Sequence, residues 1–286
     1  MEWTTNPGRT WASQTRTFPV RKISAAGPVH TLDTVVIEEP LEIRIGFWFK
    51  NSRVTDSLAV TMRTPGNEEE LAAGFLLSEG VVRERNDIVE IRRLGAGEAC
   101  NELHVELASH VDVENWRLQR STLLSSACGL CGKKTLESIP EAANMPCDSL
   151  RVRAELIRTL PALLDQHQRV FQSTGGLHGA ALVTPGSGIE VAFEDIGRHN
   201  ALDKLLGHCF LQGMLPVSQS LIFMTSRGSF ELVQKTLAGG SPALATIGAP
   251  SSLAIDFARS RGLTLLGFIR SDHFNVYAGE WRVDSK

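Results

Sequence analysis

The run Leu221-Ile222-Phe223-Met224-Thr225-Ser226-Arg227-Gly228-Ser229 decides the fold. Its first four residues are wholly apolar, as expected of a short strand buried on both faces. A polar junction follows, and Phe230 to Ala238 reads as a helix. Ala243 to Ile247 reads as a second strand, Ser252 to Arg261 as a helix closed by Gly262, and Leu263 to Ile269 as a third strand. A β-α-β-α-β succession demands parallel pairing and right-handed crossovers. The fold class expected is therefore α/β.

Upstream, Ala180 to Val183 and Ile189 to Phe193 flank Pro185-Gly186-Ser187-Gly188, a hairpin signal. Asn200 to Phe210 carries Ala201, Leu202, Leu205, Leu206, Cys209 and Phe210 at helical spacing. Ala154 to Gln168 also reads as a helix, kinked or split at Pro161. In the first hundred residues Leu41, Ile43, Ile45, Phe47 and Phe49 alternate with Glu42, Arg44, Gly46, Trp48 and Lys50, a strand pattern. Leu58 to Met62 and Leu103 to Leu107 add strands. Thr64-Pro65-Gly66 marks a turn, and Asn67 with Glu70 makes a capping-box-like helix start. The expected organisation is a flexible tail over 1–19, a β-rich portion over 20–125, and an α/β portion over 126–286. The last two are free to form one continuous unit.

Composition narrows the function. The chain has 286 residues, 42% of them apolar, and a formal net charge of −3. That is globular, and it gives no reason to expect nucleic acid as the main partner. No stretch is long and apolar enough to span a membrane. Arg outnumbers Lys, 22 to 7, which suits an anionic ligand but also a plain compositional bias. The five cysteines, Cys100, Cys128, Cys131, Cys147 and Cys209, are too sparse for a disulfide framework. With no apolar h-region in Met1 to Arg16, a cytoplasmic location is expected.

Ser125-Ser126-Ala127-Cys128-Gly129-Leu130-Cys131-Gly132-Lys133-Lys134 carries the chemistry. Two thiols stand three positions apart, glycines keep the backbone open, and two cations favour the reactive thiolate. A short helix over 135–139 would lower the thiol pKa further. A lone CxxC serves as a redox pair, half a metal site or a sulfur carrier. His104-Val105-Glu106 upstream echoes the H-x-E of zinc deaminases, but Ala127 stands where that signature has Pro. The H-x-E also falls in an alternating strand pattern. Cys209 sits on an apolar helix face and reads as a core residue.

Four Gly- and Ser-rich junctions complete the candidate site: Gly175 to Gly179, Glu194 to Asn200, Thr225 to Ser229, and Gly248 to Ser252. In an open parallel sheet such junctions gather at the carboxyl ends of the strands. Helix N-termini there suit phosphate oxygens through free amides and the helix dipole. Ordinary turn and cap chemistry explains any one of them alone. His178 and His199 each sit in a junction. The segment Ser271 to Gly279 either closes the sheet as an edge strand or lines the same crevice.

Cys128-Gly-Leu-Cys131-Gly, Gly175-Gly-Leu-His-Gly, Glu194-Asp-Ile-Gly-Arg-His-Asn-Ala-Leu-Asp-Lys, Thr225-Ser-Arg-Gly-Ser and Gly248-Ala-Pro-Ser-Ser together resemble the FdhD family of sulfurtransferases that serve formate dehydrogenase maturation. The resemblance spans roughly Val20 to Gly279. It implies a cytidine-deaminase-like α/β core and a homodimer. It implies that sulfane sulfur arrives from a cysteine desulfurase and passes to the bis-guanylyl molybdenum cofactor before that cofactor enters formate dehydrogenase. By position, Cys128 would hold the persulfide, with Cys131 as relay or resolving thiol. Phe274, Asn275, Val276, Tyr277, Ala278 and Gly279 match the family's cofactor-binding stretch. Gly176, His178, Arg198, His199, Ser226, Arg227, Gly228, Ser229, Gly248 and Ser251 would complete that surface, and a guanine nucleotide such as GDP would mimic the cofactor. A CxxC thiol-disulfide oxidoreductase and a non-catalytic nucleotide-cofactor chaperone are the alternatives.

Overall fold

The computed structural model describes residues 14–94, 101–113, 124–125 and 149–285. Strands β1 (Thr15–Ser24) and β2 (Gly27–Val36) pair as an antiparallel ribbon. Regular structure thus begins inside the stretch expected to be a loose tail. Strands β3 (Glu39–Phe49) and β4 (Ser52–Arg63) form the next hairpin. Helix α1 (Glu68–Ser78) follows, then β5 (Ile88–Leu94), β6 (Glu102–Leu107) and the short β7 (Leu124–Ser125). These make a five-stranded sheet of order β5-β6-β3-β4-β7. The alternation in β3 is realised: Leu41, Ile43, Ile45 and Phe47 are buried beneath α1 with Leu103, Val105 and Leu107 of β6.

The start of α1 differs from the capping-box expectation. Asn67 has a left-handed φ of 59° and its side chain caps nothing. Glu68 does the work instead. It accepts a bond from the Gly66 amide at 2.7 Å and pairs with Arg63 at 3.3 Å and Arg93 at 3.0 Å. Burial pushes its carboxyl up, but the Gly66 amide and the two guanidinium groups outweigh that and hold it low.

The second half begins with β8 (Val152–Arg153), α2 (Ala154–Asp165) and α3 (Arg169–Thr174). Pro161 lies within α2 without splitting it. Then come β9 (His178–Thr184), β10 (Gly188–Asp195), α4 (Arg198–Leu211), β11 (Leu221–Met224), α5 (Phe230–Ala238), β12 (Ala243–Thr246), α6 (Ser252–Ser260), β13 (Thr264–Gly267), β14 (Asn275–Ala278) and β15 (Val283–Asp284). Six of these strands form one sheet in the order β10-β9-β11-β12-β13-β14. The pairs β11–β12 and β12–β13 are parallel, as the β-α-β-α-β pattern requires, and β9 and β14 flank them antiparallel. The chain is thus of the α/β class.

Each face of this sheet has its own cover. Ala180, Leu182, Ile222, Met224, Leu244 and Leu265 pack with residues of α4, α5 and α6. Ala181, Val183, Leu221, Phe223, Ala245 and Leu266 pack against Ile157, Leu160 and Leu164 of α2. The first of these cores runs on, through α4 and α1, to the five-stranded sheet. Helices α1 and α4 cross at glycine on glycine. A Cβ at Gly74 would overlap the Asp203 carbonyl, and one at Gly207 would overlap the Glu70 carbonyl. Beside the crossing, Lys235 donates to both carboxylate oxygens of the buried Asp203 at 2.9 and 2.8 Å, and Ser78 donates to Asp203 at 2.8 Å. The two halves are joined by this backbone contact and by the buried Ser78–Asp203 hydrogen bond, which a loose linker could not supply.

Candidate functional site

The sheet register brings the scattered junctions to one edge. Strands β11, β12 and β13 end at Met224, Thr246 and Gly267. Antiparallel β9 starts beside them, because Ala180 pairs with Met224, so His178 lies just beyond that end. Asp195, the last residue of β10, pairs with His178, and Asn275 of β14 pairs with Gly267. All four Gly- and Ser-rich junctions therefore meet at the carboxyl edge.

Backbone hydrogen bonds lace these junctions together. Gly179 N–H donates to Thr225 Oγ1 at 2.7 Å, and Thr225 N–H returns to the Gly179 carbonyl at 3.0 Å. Gly248 N–H donates to Ser226 O at 3.0 Å, Gly228 N–H to Ala249 O at 3.1 Å, and Ser251 N–H to Gly228 O at 2.9 Å. These five amides are satisfied within the protein, whereas the expectation of phosphate at helix N-termini concerns first-turn amides, which are not among them. The hydroxyls of Ser229 and Ser251 accept from Leu232 N–H and Ala254 N–H, the ordinary work of an N-cap. Gly248 has a packing reason too: a Cβ there would stand 2.9 Å from Arg227 Cγ.

The long motif from Glu194 to Lys204 is mostly architecture. Fully buried Asp195 accepts from Thr64 N–H at 3.2 Å, Gly197 N–H at 2.8 Å, Asn200 Nδ2 at 3.1 Å and Lys204 Nζ at 2.7 Å. Asn200 Nδ2 also reaches the Met62 carbonyl at 2.8 Å, and Lys204 Nζ reaches that of Thr64 at 3.0 Å. Glu194 accepts from Phe171 N–H at 2.9 Å at the start of α3. The motif therefore bolts the end of β4 to the first turn of α4. Arg198 and His199 take no part in that joint.

What the edge offers a ligand is charge. Among the described residues, neither Arg198 nor Arg227 pairs with an acid, and Arg227 is exposed. Arg270, just past β13, donates through Nη1 to the Ile247 carbonyl at 3.0 Å and adds a third guanidinium. The sequence reading did not single out Arg270, although its place directly after a core strand was the available signal. Unpaired guanidinium groups at strand ends suit an anion such as phosphate.

His178 and His199 are held uncharged. Burial, then Arg198, pulls the His178 imidazole below its usual value. Burial, then Arg198, Lys235 and His178, pushes His199 down to about 3. His199 Nε2 stands 3.3 Å from Glu231 Oε2. The native state therefore resists protonation where the unfolded chain accepts it. Stability is full above about pH 6.5 and falls as acid approaches pH 3, by up to about 1.4 kcal/mol per pH unit. Denaturant unfolding between pH 7 and pH 4 checks this. A shallower acid slope is expected in His199→Gln, and an unchanged slope would clear His199 of the effect.

The Phe274 to Gly279 stretch divides. Phe274 packs on the α2-side core, and Asn275 Nδ2 donates to the Tyr277 hydroxyl at 3.2 Å near the carboxyl edge. Ala278 pairs with Leu265, and the Gly279 carbonyl accepts from Thr264 Oγ1 at 2.7 Å. These last two lie at the opposite end of β13, because β14 runs antiparallel to it. Gly176 borders the ribbon instead: a Cβ there would stand 3.1 Å from Val36 Cγ1.

His104-Val105-Glu106 has a structural occupation. His104 Nε2 and Glu106 Oε2 are 2.9 Å apart, and Glu106 also pairs with Arg53. Burial and the nearby Arg92, Arg53 and Arg44 hold the His104 pKa down. Strand β6 also lies three strands from β7, about 14 Å at usual strand spacing. Among the described residues no group of three or more His, Cys, Asp or Glu is placed to hold a metal ion, and no helix is long and apolar enough to cross a membrane. Cys209 is buried in α4, and burial pushes its thiol up to about 12. Cys128 and Cys131 lie outside the described residues.

The five ordered motifs, four of them gathered at one edge, all fall within residues 36–284. The profile of the FdhD/NarQ family covers residues 36–284. The chain belongs to the FdhD/NarQ family. Among FdhD relatives, the sulfur carrier protein FdhD of Streptomyces coelicolor is 45% identical over 259 residues, covering 88% of this chain and 89% of that one. The sulfur carrier protein FdhD of Sulfurisphaera tokodaii is 38% identical over 251 residues, covering 88% and 92%. In fold, the crystal structure of a putative formate dehydrogenase accessory protein from Desulfotalea psychrophila matches with a TM-score of 0.74 at 23% identity, over 95% of this chain and 100% of that one.

Proposed function

We propose that this FdhD-family chain is a cytoplasmic, homodimeric sulfurtransferase. It takes persulfide sulfur from a cysteine desulfurase on Cys128 and delivers it to the bis-molybdopterin guanine dinucleotide cofactor destined for formate dehydrogenase. The cofactor is cargo, and GDP is its natural mimic. The observation that carries the proposal is the direction of β7. It pairs in parallel with β4 at Ala59 and Val60, so the chain leaves Ser125 heading the way of Met62 and Thr64. Those residues are bonded to Asn200 and Asp195 at the start of α4, beside Arg198. Cys128 follows Ser125 by three residues, a reach of at most about 11 Å. The described strand that precedes the thiol pair in the chain therefore points toward an arginine-lined edge, and such an edge suits the cofactor's phosphates. A plain thiol-disulfide oxidoreductase has no use for that edge.

The chemistry balances without an external oxidant. The Cys128 thiolate attacks the outer sulfur of the desulfurase persulfide. The sulfur–sulfur bond breaks, the desulfurase thiolate leaves, and Cys128 holds the persulfide. Attack by the Cys131 thiolate on the inner sulfur then forms a Cys128–Cys131 disulfide and expels the outer sulfur as sulfide. A cellular dithiol reductant restores the pair. Lys133 and Lys134 favour the thiolates.

Native mass spectrometry after incubation with a cysteine desulfurase and cysteine tests the proposal. The expected result is a gain of one sulfur atom, removed by dithiothreitol and mapped by digestion to Cys128. A disulfide with no sulfur gain would favour the oxidoreductase. Neither product, with GDP still bound, would leave a nucleotide-cofactor chaperone.

A further inference from the structure

We infer that the exposed ring of Phe268 is a stacking platform for a nucleobase at the carboxyl edge. Phe268 follows β13 directly and has a φ of 52°. That left-handed conformation suits glycine, and a bulky residue there is an outlier. The backbone is held in it from several sides. Phe268 N–H donates to Gly248 O at 3.2 Å, Ile269 N–H to Thr246 O at 3.3 Å, and Arg270 N–H to His273 O at 2.8 Å. The preceding Gly267 is pinched, since a Cβ there would stand 3.0 Å from both Pro250 Cδ and Tyr277 Cε2.

The ring is left partly open to solvent in return. Phe268 is 38% exposed, whereas its neighbours Gly267 and Ile269 are buried. The other phenylalanines of this region are used differently. Phe223 lies in the core, Phe230 and Phe257 pack ring on ring at 4.7 Å, and Phe274 packs on the α2-side core. Phe268 has no ring partner among the described residues. A position whose backbone asks for glycine carries instead an open aromatic face. Observed strain of this kind is a reason to look for function.

The surroundings define the ligand class. Arg227 and Arg270 belong to the same edge, the latter reaching back to the Ile247 carbonyl at 3.0 Å. A flat apolar face among guanidinium groups fits a flat heteroaromatic ring joined to an anionic phosphate group, which is the chemistry of a nucleotide. This assignment rests on the proposal that the edge takes the nucleotide ends of the cofactor, and it names the residue that holds a base.

Equilibrium binding of GDP and of inorganic pyrophosphate to the full chain tests it. Phe268→Gly removes the ring and suits the backbone, so relieved strain offsets lost burial and its melting temperature should stay close to that of the wild type. Its GDP affinity should fall about tenfold or more, the scale of one base–aromatic stack, with pyrophosphate affinity unchanged. Phe268→Trp should bind GDP within about threefold of wild type, since stacking tolerates any aromatic face. If Phe268→Gly does not fold, Phe268→Leu serves in its place. Wild-type GDP affinity in the ring-less variant would overturn the assignment and leave the nucleotide edge standing. So would a loss of self-association with GDP affinity intact, which would mean that the ring meets a second copy. Absence of any GDP or pyrophosphate binding by the wild type would overturn both readings.

Discussion

Gly207→Ala is expected to lower the melting temperature by roughly 10 °C or more. In an exposed helix this exchange gains up to about 1 kcal/mol, because alanine is the better helix former. Here the sign reverses. The added Cβ would overlap the Glu70 carbonyl oxygen and stand 2.6 Å from the Gly74 amide nitrogen. Both are backbone atoms of α1, which cannot swing aside as a side chain can. The helices would have to part, and the core shared by Leu71, Leu76, Leu202 and Leu206 would open with them. Overpacking a core costs about 1–3 kcal/mol when side chains adjust, and rigid backbone overlap belongs at or above the top of that range. Against a total stability of about 5–15 kcal/mol, the loss is large. Thermal unfolding followed by circular dichroism checks it, and a melting temperature within a few degrees of wild type would refute the crossing as drawn.

On the proposed function, Cys128→Ala abolishes formate dehydrogenase maturation, an effect of a hundredfold or more on enzyme activity in a complemented deletion strain. No other described group can replace a persulfide-forming thiolate. Cys209, the one cysteine among the described residues, is buried with its thiol pushed up to about 12. Cys131→Ala should load sulfur but release it poorly. Cys209→Ala should mature the enzyme normally. Full maturation by Cys128→Ala would sink the carrier assignment.

These two residues mark different limits of sequence reading. Cys128 stands out in the chain because thiols, glycines and lysines at that spacing have few other uses. Gly207 does not, because nothing local distinguishes a glycine kept for close approach from one in a tolerant helix. The same division runs through the Glu194 to Lys204 motif. Its residues look like one functional cluster, yet Asp195, Asn200, Asp203 and Lys204 are buried joints between the two halves of the molecule. Hydrogen-bond partners such as Thr64 and Met62 lie more than a hundred residues away in sequence, which no local pattern reports. Likewise, the polar look of the Gly and Ser junctions was legible, but not that the amides of Gly179, Thr225, Gly228, Gly248 and Ser251 bond one junction to another.

The sequence alone determined the α/β class, the parallel pairing of the β-α-β-α-β run, the membership of most helices and the five motifs that mark the FdhD family. Hydrophobic period and turn residues are local properties, so they survive without coordinates. Tertiary structure alone decided which motif residues share the carboxyl edge. Register and strand direction set that. Antiparallel β14 carries Ala278 and Gly279 to the far end of β13, while β13 delivers Phe268 and Arg270 to the edge beside Arg227. A side chain's neighbours depend on how separate segments pair, and pairing is fixed only when the whole core closes.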